Sequence, residues 1–523
     1  MIQTELIAPL GVLVRRHAEQ RGAKLAFEDW TGAKLTYGQL DSQSAAIAGH
    51  LQDRGIEAGD AVAIMLPNCV DWALSCVSVV RAGGVSVPIS HDATEAEVCY
   101  RLEDARCKVA IVSTRNLAMI ERLREKLPGT IQVIVAGSDD PTDQLSLALM
   151  AQSVPRSSPR DPEDMHATAF LVYTSGTTGR AKGVMLSQHS MLWVVAASWA
   201  PIAGLNEKDV LLSALPLFHS YALNLCVLGV LAVGATEYFV EKFSTQEVTR
   251  QLESGRYTVV PGVPTMFHYL LENARSGGKR AAEGVRCFLS AGAILPMVLN
   301  KEFEAFFGVP LLDGYGITET STMVTLNWPD ASRVPGSCGL PIPGLAVRIV
   351  DASGGDVPFD AEGELIVRGP NVMQGYLNKP TETAEALRGG WYHTGDLARS
   401  DRNGFLTITG RLKELIIRGG QNIAPAEVED AVLSHPAVLD CAALGMAHPH
   451  LGEVPVVCVV LREAQSADGE SIRQHCGQLL SAYKVPQSVE FVKAIPRTGS
   501  GKIMRFKLRE ALDAAATSSS PTV

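Results

Sequence analysis

The sequence predicts an α/β protein: a large N-terminal domain of mainly parallel βαβ sheets with a small barrel-like section, then a small, mobile α+β C-terminal domain. Three observations predict the architecture. Through roughly the first three hundred residues, short apolar runs alternate with helix-length segments, the pattern of strands joined by crossover helices. After about residue 335 the runs shorten, alternate and are punctuated by Gly-rich turns, which fits antiparallel strands. The last hundred or so residues again mix helical and strand patterns, in a stretch of about the length of one small domain.

The elements follow in order. The run AVAIML at 61–66 is apolar throughout, as a strand covered on both faces requires. An amphipathic helix at 70–81 leads to a strand at 85–89. A helical pattern at 93–104 then precedes strands at 109–113 and 131–136. The segment 153–163, rich in Ser, Pro and Arg, reads as a linker or exposed loop. Strand pattern resumes at 169–173 and recurs at 210–215, 257–260, 286–290 and 311–315, with helices between. Short alternating strands at 345–351, 364–368 and 405–410 form the antiparallel section. Helices at 425–433 and 472–481 and strands at 438–444, 454–461 and 489–492 make up the C-terminal part, and the Ala/Ser/Thr-rich tail from 514 is expected to fray. No internal repeat is present.

Composition narrows the function. Among 523 residues, Lys plus Arg is 46 and Asp plus Glu is 56, a balance of −10 that argues against a nucleic-acid partner bound by phosphate neutralisation. The ten cysteines contain no C-x-x-C pair, which favours reduced, mostly buried thiols over disulfides or zinc. The longest apolar stretch, near 225–235, falls short of the ~20 residues of a membrane span and is interrupted by Gly229 and Gly234. Arg15 and Arg16 follow rather than precede the N-terminal apolar run, the wrong order for a secretory signal, so a cytoplasmic location is expected.

Five segments carry chemistry. Thr174-Ser175-Gly176-Thr177-Thr178-Gly179-Arg180-Ala181-Lys182-Gly183 follows a strand; its glycines let backbone N–H groups turn inward around an anion, its hydroxyls add donors and Lys182 adds charge. It is not a Walker A loop: Ala181 stands where the second glycine belongs, and Gly183 where Ser or Thr is needed. Asp313-Gly314-Tyr315-Gly316-Ile317-Thr318-Glu319 ends a strand in a turn that offers Tyr315 for stacking on a base, Thr318 for a phosphate and Glu319 as a hard Mg²⁺ ligand. His393-Thr394-Gly395-Asp396 presents an exposed carboxylate suited to ribose hydroxyls, although such a sequence alone is more often a plain turn. Gly410-Arg411-Leu412-Lys413-Glu414, followed by Gly419 and Gly420, fits a linker opening into a small domain. Pro496-Arg497-Thr498-Gly499-Ser500-Gly501-Lys502 places a lysine on a Gly-rich loop; without context Lys502 is a solvated surface residue.

Together, and in this order, the five resemble the adenylate-forming enzymes: acyl-CoA synthetases, 4-coumarate-CoA ligases, firefly luciferase and peptide-synthetase adenylation domains. The resemblance runs from about Gly59 to Arg509. It implies a large domain, 1–412, with the ATP and carboxylate sites, and a small domain, 413–523, that swings over it about Lys413. It further implies that Thr174 to Lys182 hold the β- and γ-phosphates, that Tyr315 and the Ala291-Gly292-Ala293 turn flank adenine within a nucleotide site that also takes in Asp313, Gly314 and Gly316, and that Thr318 meets the α-phosphate. Glu319 then binds Mg²⁺, Asp396 the ribose, Arg411 ribose and phosphate, and Lys502 catalyses adenylation. On this reading Gly419 and Gly420 make room for the pantetheine arm of CoA when the small domain turns.

The acid is read from Leu215-Pro216-Leu217-Phe218-His219-Ser220-Tyr221-Ala222, which resembles the acyl-pocket segment of these ligases. The resemblance puts His219 beside the carboxylate, although a satisfied histidine at a helix start is a serious competing reading. It puts Tyr221 and Ala222, with Gly292, Gly314 and Gly316, around the acyl group. From Leu211 to Thr236 there is no Asp, Glu, Lys or Arg, a wall suited to an apolar tail. Amino-acid adenylation domains usually carry Asp where His219 stands, which disfavours an amino acid. The expected function is an ATP-dependent acid–thiol ligase that joins an apolar fatty or aromatic acid to CoA with ATP and Mg²⁺. The alternatives are an enzyme loading an acyl or peptidyl carrier protein and a malonyl-type dicarboxylate ligase; a pseudoenzyme is disfavoured because Lys182, Glu319, Asp396 and Lys502 are all present. The oligomeric state is open.

Overall fold

The structure, a computed structural model, describes residues 1–127, 129, 131–137, 146–174, 181–277, 282–329, 333–463, 465–498 and 501–518. Two large sheets dominate it. In one, strands Thr168–Thr174, Val85–Pro88, Ala61–Met65, Val109–Ser113 and Gln132–Ala136 run parallel, and Lys182–Ser187 and Gly375–Tyr376 add an antiparallel edge. In the other, Leu25–Asp29, Thr236–Phe239, Val210–Ser213, Val259–Gly262, Cys287–Ser290 and Leu311–Tyr315 form the parallel body.

The parity of each strand explains the layering. Val62 and Ile64 face one core and Ala61, Ala63 and Met65 another, so the strand is covered on both sides and has no polar face to show in sequence. The inner core lies between the two sheets, filled by helix Val70–Arg81 and by the helical segments from Gln188 to Trp199 and from Ser220 to Val233. Helices Glu95–Asp104 and Thr114–Arg124 cover the outside of the first sheet. Helices Thr245–Leu252, Pro264–Gly277 and Met297–Phe307 cover the outside of the second.

The antiparallel section is a four-stranded sheet, Ala346–Val350, Gly363–Arg368, Tyr392–Ser400 and Leu406–Arg411. Its third strand contains His393 to Asp396, so that segment is a strand and not a turn; a register shift beside Leu397 and a left-handed Gly395 (φ +69°) hid it from periodicity. The C-terminal part has its own five-stranded sheet, with Pro425–Leu433 and Gly469–Leu479 on one face and Arg505–Ser518 on the other.

One further expectation holds and one is corrected. Residues 153–163 are neither helix nor strand and are at least partly exposed throughout, as an exposed loop should be, and they are tied down. The Asp161 carboxylate accepts from Arg15 and, at 2.8 Å, from Arg81 Nε, while Asp53 accepts from the Arg156 N–H at 2.7 Å and from Ser157 Oγ at 2.6 Å. The tail does not fray at 514: the last helix runs to Ser518, as its alanines favour.

Candidate active site

The two strands that bracket the glycine- and hydroxyl-rich segment pair as a hairpin. Strands Thr168–Thr174 and Lys182–Ser187 are antiparallel, with Thr174 opposite Lys182, so no helix N-terminus stands behind this loop. Ser175, Gly176, Thr177, Thr178 and Gly179 lie outside the described residues. Helix Glu95–Asp104 braces both stems: Tyr100 Oη donates to the Ala181 carbonyl at 2.8 Å, and Tyr173 Oη donates to Asp104 at 2.7 Å. Lys182 Nζ lies 4.8 Å from the centre of the Tyr376 ring, whose hydroxyl donates to Glu319 Oε1 at 3.0 Å. The loop's cation and the proposed metal ligand thus share one tyrosine.

On the opposite side, strand Leu311–Tyr315 delivers the second motif. A Cβ on Gly316 would sit 1.6 Å from the Thr322 carbonyl oxygen, and one on Gly314 would sit 2.5 Å from Met323 Cε, so these glycines are required by close approach. Ser321 and Thr322 are left-handed (φ +51° and +102°) directly behind the Thr318–Thr320 turn. For a β-branched residue that costs ~1–3 kcal/mol, and the Asn371 amide holds the turn by donating to Thr320 and Met323 carbonyls at 3.0 and 2.7 Å. The turn sets Thr318 Oγ1 3.1 Å from Ser220 Oγ.

Asp396 is only 2% exposed, which corrects the reading of it as an exposed carboxylate. Arg411, its cross-strand partner, donates from Nε to Oδ1 at 2.7 Å, and Tyr315 Oη donates to Oδ2 at 2.5 Å. The Asp396 charge raises the Arg411 guanidinium, so this cation is fixed. Burial, and then Asp396, push the Tyr315 phenol well up, and burial pushes the Asp313 carboxyl up.

Lys502 is not a solvated surface residue. Its loop is braced by Arg497, which donates to the Gly501 carbonyl at 3.0 Å and to Asp440 at 2.8 Å. Gly501 is left-handed (φ +81°), and a Cβ there would come within 2.8 Å of Val263 Cγ2 on the large domain. Burial and then Arg411 lower the Lys502 ammonium, against Asp396, Glu319 and Glu414, which place three carboxylates around it. His219, at the start of the turn Ser220–Ala222, is pushed down to about 3 by burial, Lys502 and Arg101. It is therefore neutral near pH 7 and cannot act there as a cationic acid.

A cleft of about 1090 Å³ runs between the large and C-terminal parts. Gly292, Ala293, Asp313, Gly314, Tyr315, Gly316, Asp396, Arg411, Lys413 and Lys502 line it. Lys182, Thr318, Glu319, His219, Tyr221, Ala222 and the 4%-exposed Ala291 do not form its wall. Nor do Gly419 and Gly420, which make the left-handed tip (φ +57° and +82°) of the hairpin Ile416–Arg418 and Gln421–Ile423. The structure therefore presents the Lys502 side of the small domain to the cleft.

The apolar segment is also corrected. Apart from Gly229, residues 225–232 are at most 1% exposed and belong to the inner core, so the missing charges there reflect burial between two sheets and not a wall facing a ligand. Ala222 is buried with them. Tyr221 is half-buried, stacks on Trp199 with ring centres 5.9 Å apart and donates to the Leu289 carbonyl at 3.0 Å. Sequence reasoning gave no role to Ser220 and Arg497, although both lie within the quoted motifs, and missed Tyr376 and Arg101, whose only signals are tertiary; the strained Ser321 and Thr322 likewise leave no pattern.

The AMP-binding enzyme family matches residues 14–377, and the AMP-binding enzyme C-terminal domain matches residues 427–502. A long-chain-fatty-acid–CoA ligase of Bacillus subtilis (strain 168) is 33% identical over 511 residues, covering 92% of this chain and 90% of that protein. A feruloyl-CoA synthase of an Amycolatopsis species is 34% identical over 481 residues, covering 91% and 94%. The crystal structure of the anthranilate CoA ligase AuaEII in complex with anthranoyl-AMP superposes with a TM-score of 0.90 at 26% identity, covering 97% of this chain and 98% of that one.

Proposed function

The chain belongs to the AMP-binding enzyme family, and on that premise we propose that its cleft activates an apolar fatty or aromatic carboxylic acid with the residues just described. The reaction class is that of an acyl-CoA ligase: the acid and ATP give an acyl-adenylate and pyrophosphate, and CoA then gives the acyl-CoA and AMP. ATP, CoA and Mg²⁺ are the small molecules of this reaction. The observation that carries the residue assignment is the convergence of Lys502, from the small domain, on the Asp396–Arg411–Tyr315 cluster of the large one.

The chemistry sets what these groups must do. A carboxylate is a poor acyl donor until its oxygen becomes part of a good leaving group, which attack on the ATP α-phosphorus achieves. Two anions must approach, so positive charge has to be held in place before they meet. Arg411 is immobilised by Asp396 and fixed as a cation. Lys502 enters from the other domain as a clamp on the developing charge. Thr318 and Ser220 present paired hydroxyls on one side of the site. Glu319 fits Mg²⁺: it is a single hard-oxygen ligand, as befits an ion that takes one or two carboxylates and otherwise keeps water and substrate phosphates. When bound, Mg²⁺ offsets phosphate charge. His219, neutral, can border the acid without adding a charge.

The assignment includes a division of the chain at Lys413, with 1–412 holding the substrates and 413–523 turning to exchange the Lys502 face for the Gly419-Gly420 hairpin. CoA, rather than an acyl or peptidyl carrier protein, is the assigned acceptor, supported by the CoA ligases among the relatives. Among the described residues no helix is long and apolar enough to cross a membrane; the cytoplasmic assignment rests on the reduced cysteines. The test is AMP release over a panel of fatty, aryl, dicarboxylic and amino acids, with and without CoA. Turnover with a fatty or aryl acid that needs CoA is expected; turnover confined to amino acids or dicarboxylates would overturn the substrate assignment.

A further inference from the structure

Helix Pro264–Gly277 runs along the junction between the two domains, and one of its faces meets the small domain at successive turns. Just before its first residue, Val263 abuts the Lys502 loop, within 2.8 Å of where a Cβ on Gly501 would stand. Two turns further on, Glu272 accepts from the Arg462 guanidinium. His268 stands between these contacts, one turn after Pro264 and one turn before Glu272, on the same face. The charges that act on it are Glu272 of its own helix and Asp440, Arg462 and Arg497 of the small domain. His268, Asp440, Arg462 and Arg497 all border the cleft.

Two polar atoms at this junction are shut off from solvent and have no hydrogen-bond partner among the described residues: Nε2 of His268 and Nε of Arg497. They are complementary. Arg497 Nε carries a proton to donate, and the other two nitrogens of that guanidinium are committed, Nη1 to the Gly501 carbonyl at 3.0 Å and Nη2 to Asp440 at 2.8 Å. Burial lowers the His268 imidazole below its ordinary value, against Glu272 and Asp440 and together with Arg462 and Arg497. The ring is therefore neutral near pH 7, and when protonated on Nδ1 it presents Nε2 as an acceptor. A donor and an acceptor held out of water without partners are costly, and pairing them removes both costs at once.

We propose that His268 is a positioning residue that receives Arg497 when the cleft closes on its substrates: Arg497 Nε donates to His268 Nε2, and the bond fixes the Lys502 loop in the adenylation orientation. Arg497 suits this role because the same guanidinium grips the Gly501 carbonyl, one residue before Lys502. The new bond completes a row of three contacts along one helix face, between Val263 against Gly501 and Glu272 with Arg462. Turning the small domain breaks the row, so His268 serves the adenylate step and not the thioester step. The inference rests on the ligase reading and on the two orientations of the small domain that go with it.

The test measures ATP–pyrophosphate exchange, and single-turnover thioester formation from supplied acyl-adenylate and CoA, in wild type, His268→Leu, His268→Gln, Arg497→Lys and the double variant His268→Leu/Arg497→Lys, once thermal midpoints are known. His268→Leu is expected to slow exchange by about fivefold to fiftyfold, in kcat rather than in the KM for ATP or acid, and to leave thioester formation unchanged. His268→Gln, which keeps an acceptor, recovers part of the rate. The double variant loses no more than Arg497→Lys alone, as two partners in one bond require. Wild-type exchange in a folded His268→Leu overturns the proposal. So do an equal loss in both half-reactions, a loss confined to KM, and losses that multiply in the double variant. If wild type itself exchanges no pyrophosphate with any acid, the ligase reading falls and takes this proposal with it, whereas failure of the His268 contact leaves wild-type exchange intact; the two failures are thereby distinct.

Discussion

Lys182 and Lys502 ride on loops of similar composition, glycine and hydroxyl residues around one lysine, but the molecule holds them in different ways. Lys182 begins an interior strand of the large domain, paired with Thr174 across a hairpin and backed by the helix that carries Tyr100. Lys502 belongs to the small domain. Its loop is braced within that domain by Arg497 and Asp440 and meets the large domain at Val263. One lysine is built into the large domain; the other reaches the cleft from the C-terminal domain. A fixed cation serves every step in which its ligand is present, whereas a delivered one can be withdrawn once its step is complete.

The largest effect that sharpens this contrast is on the adenylation step. Lys502→Met is expected to slow ATP–pyrophosphate exchange by about 10²–10³-fold, the usual loss for one preorganised electrostatic group. Lys182→Met should instead show mainly as weaker ATP binding. Equal loss in KM for both variants would erase the distinction.

A smaller effect concerns how the small domain is held. The Arg462 guanidinium bonds Glu272, on a helix of the large domain, and both side chains are partly open to solvent. Such a pair is worth up to about 1 kcal/mol. Glu272→Arg is expected to lower exchange by up to about fivefold, with recovery when Arg462→Glu is added. No recovery in the charge swap would show that this contact does not hold the orientation.

A further effect is on stability rather than activity, from a residue outside both loops. Glu237 is 0% exposed, its oxygens lack hydrogen-bond partners among the described residues, and burial pushes its carboxyl well up, against an opposing contribution from the Cys226 thiol. The folded protein then keeps a proton that the unfolded chain releases above the ordinary carboxylate range. Stability therefore falls as pH rises from there toward the folded value. Glu237→Gln should raise the thermal midpoint at pH 7.5 more than at pH 5, by roughly 1 kcal/mol or more of stability. The reverse order would mean that Glu237 is ionised in the fold.

The smallest expected effect is none. Because His219 is held near 3 in the folded protein, the pH profile of adenylation should lack a limb near 6.5 that His219→Gln removes. Finding one would return the imidazole to acid–base duty.

The strands of the large sheets were legible because both faces are covered: 109–113 and 311–315 match the structure, and 61–66 runs one residue past Met65. The helices at 70–81 and 425–433 also match. The strand Tyr392–Ser400 was not legible, since His-Thr-Gly-Asp in a bulged strand looks like a turn. The site was legible as a set of motifs but not as a set of contacts. That Asp396 is closed off by Tyr315, 81 positions away, or that Lys502 lies near His219, leaves no mark on local pattern. The charge-free stretch after Leu211 misled for a related reason: burial in a core and lining of an apolar pocket select the same residues.

The central claim is that one cleft is used in turn by two faces of the small domain, with Lys502 serving only the first step. Single-turnover thioester formation from supplied acyl-adenylate and CoA tests it in Lys502→Ala. The account predicts a rate close to wild type, alongside loss of adenylate formation from acid and ATP. Loss of both half-reactions to the same degree, in a protein with an unchanged thermal midpoint, would contradict it.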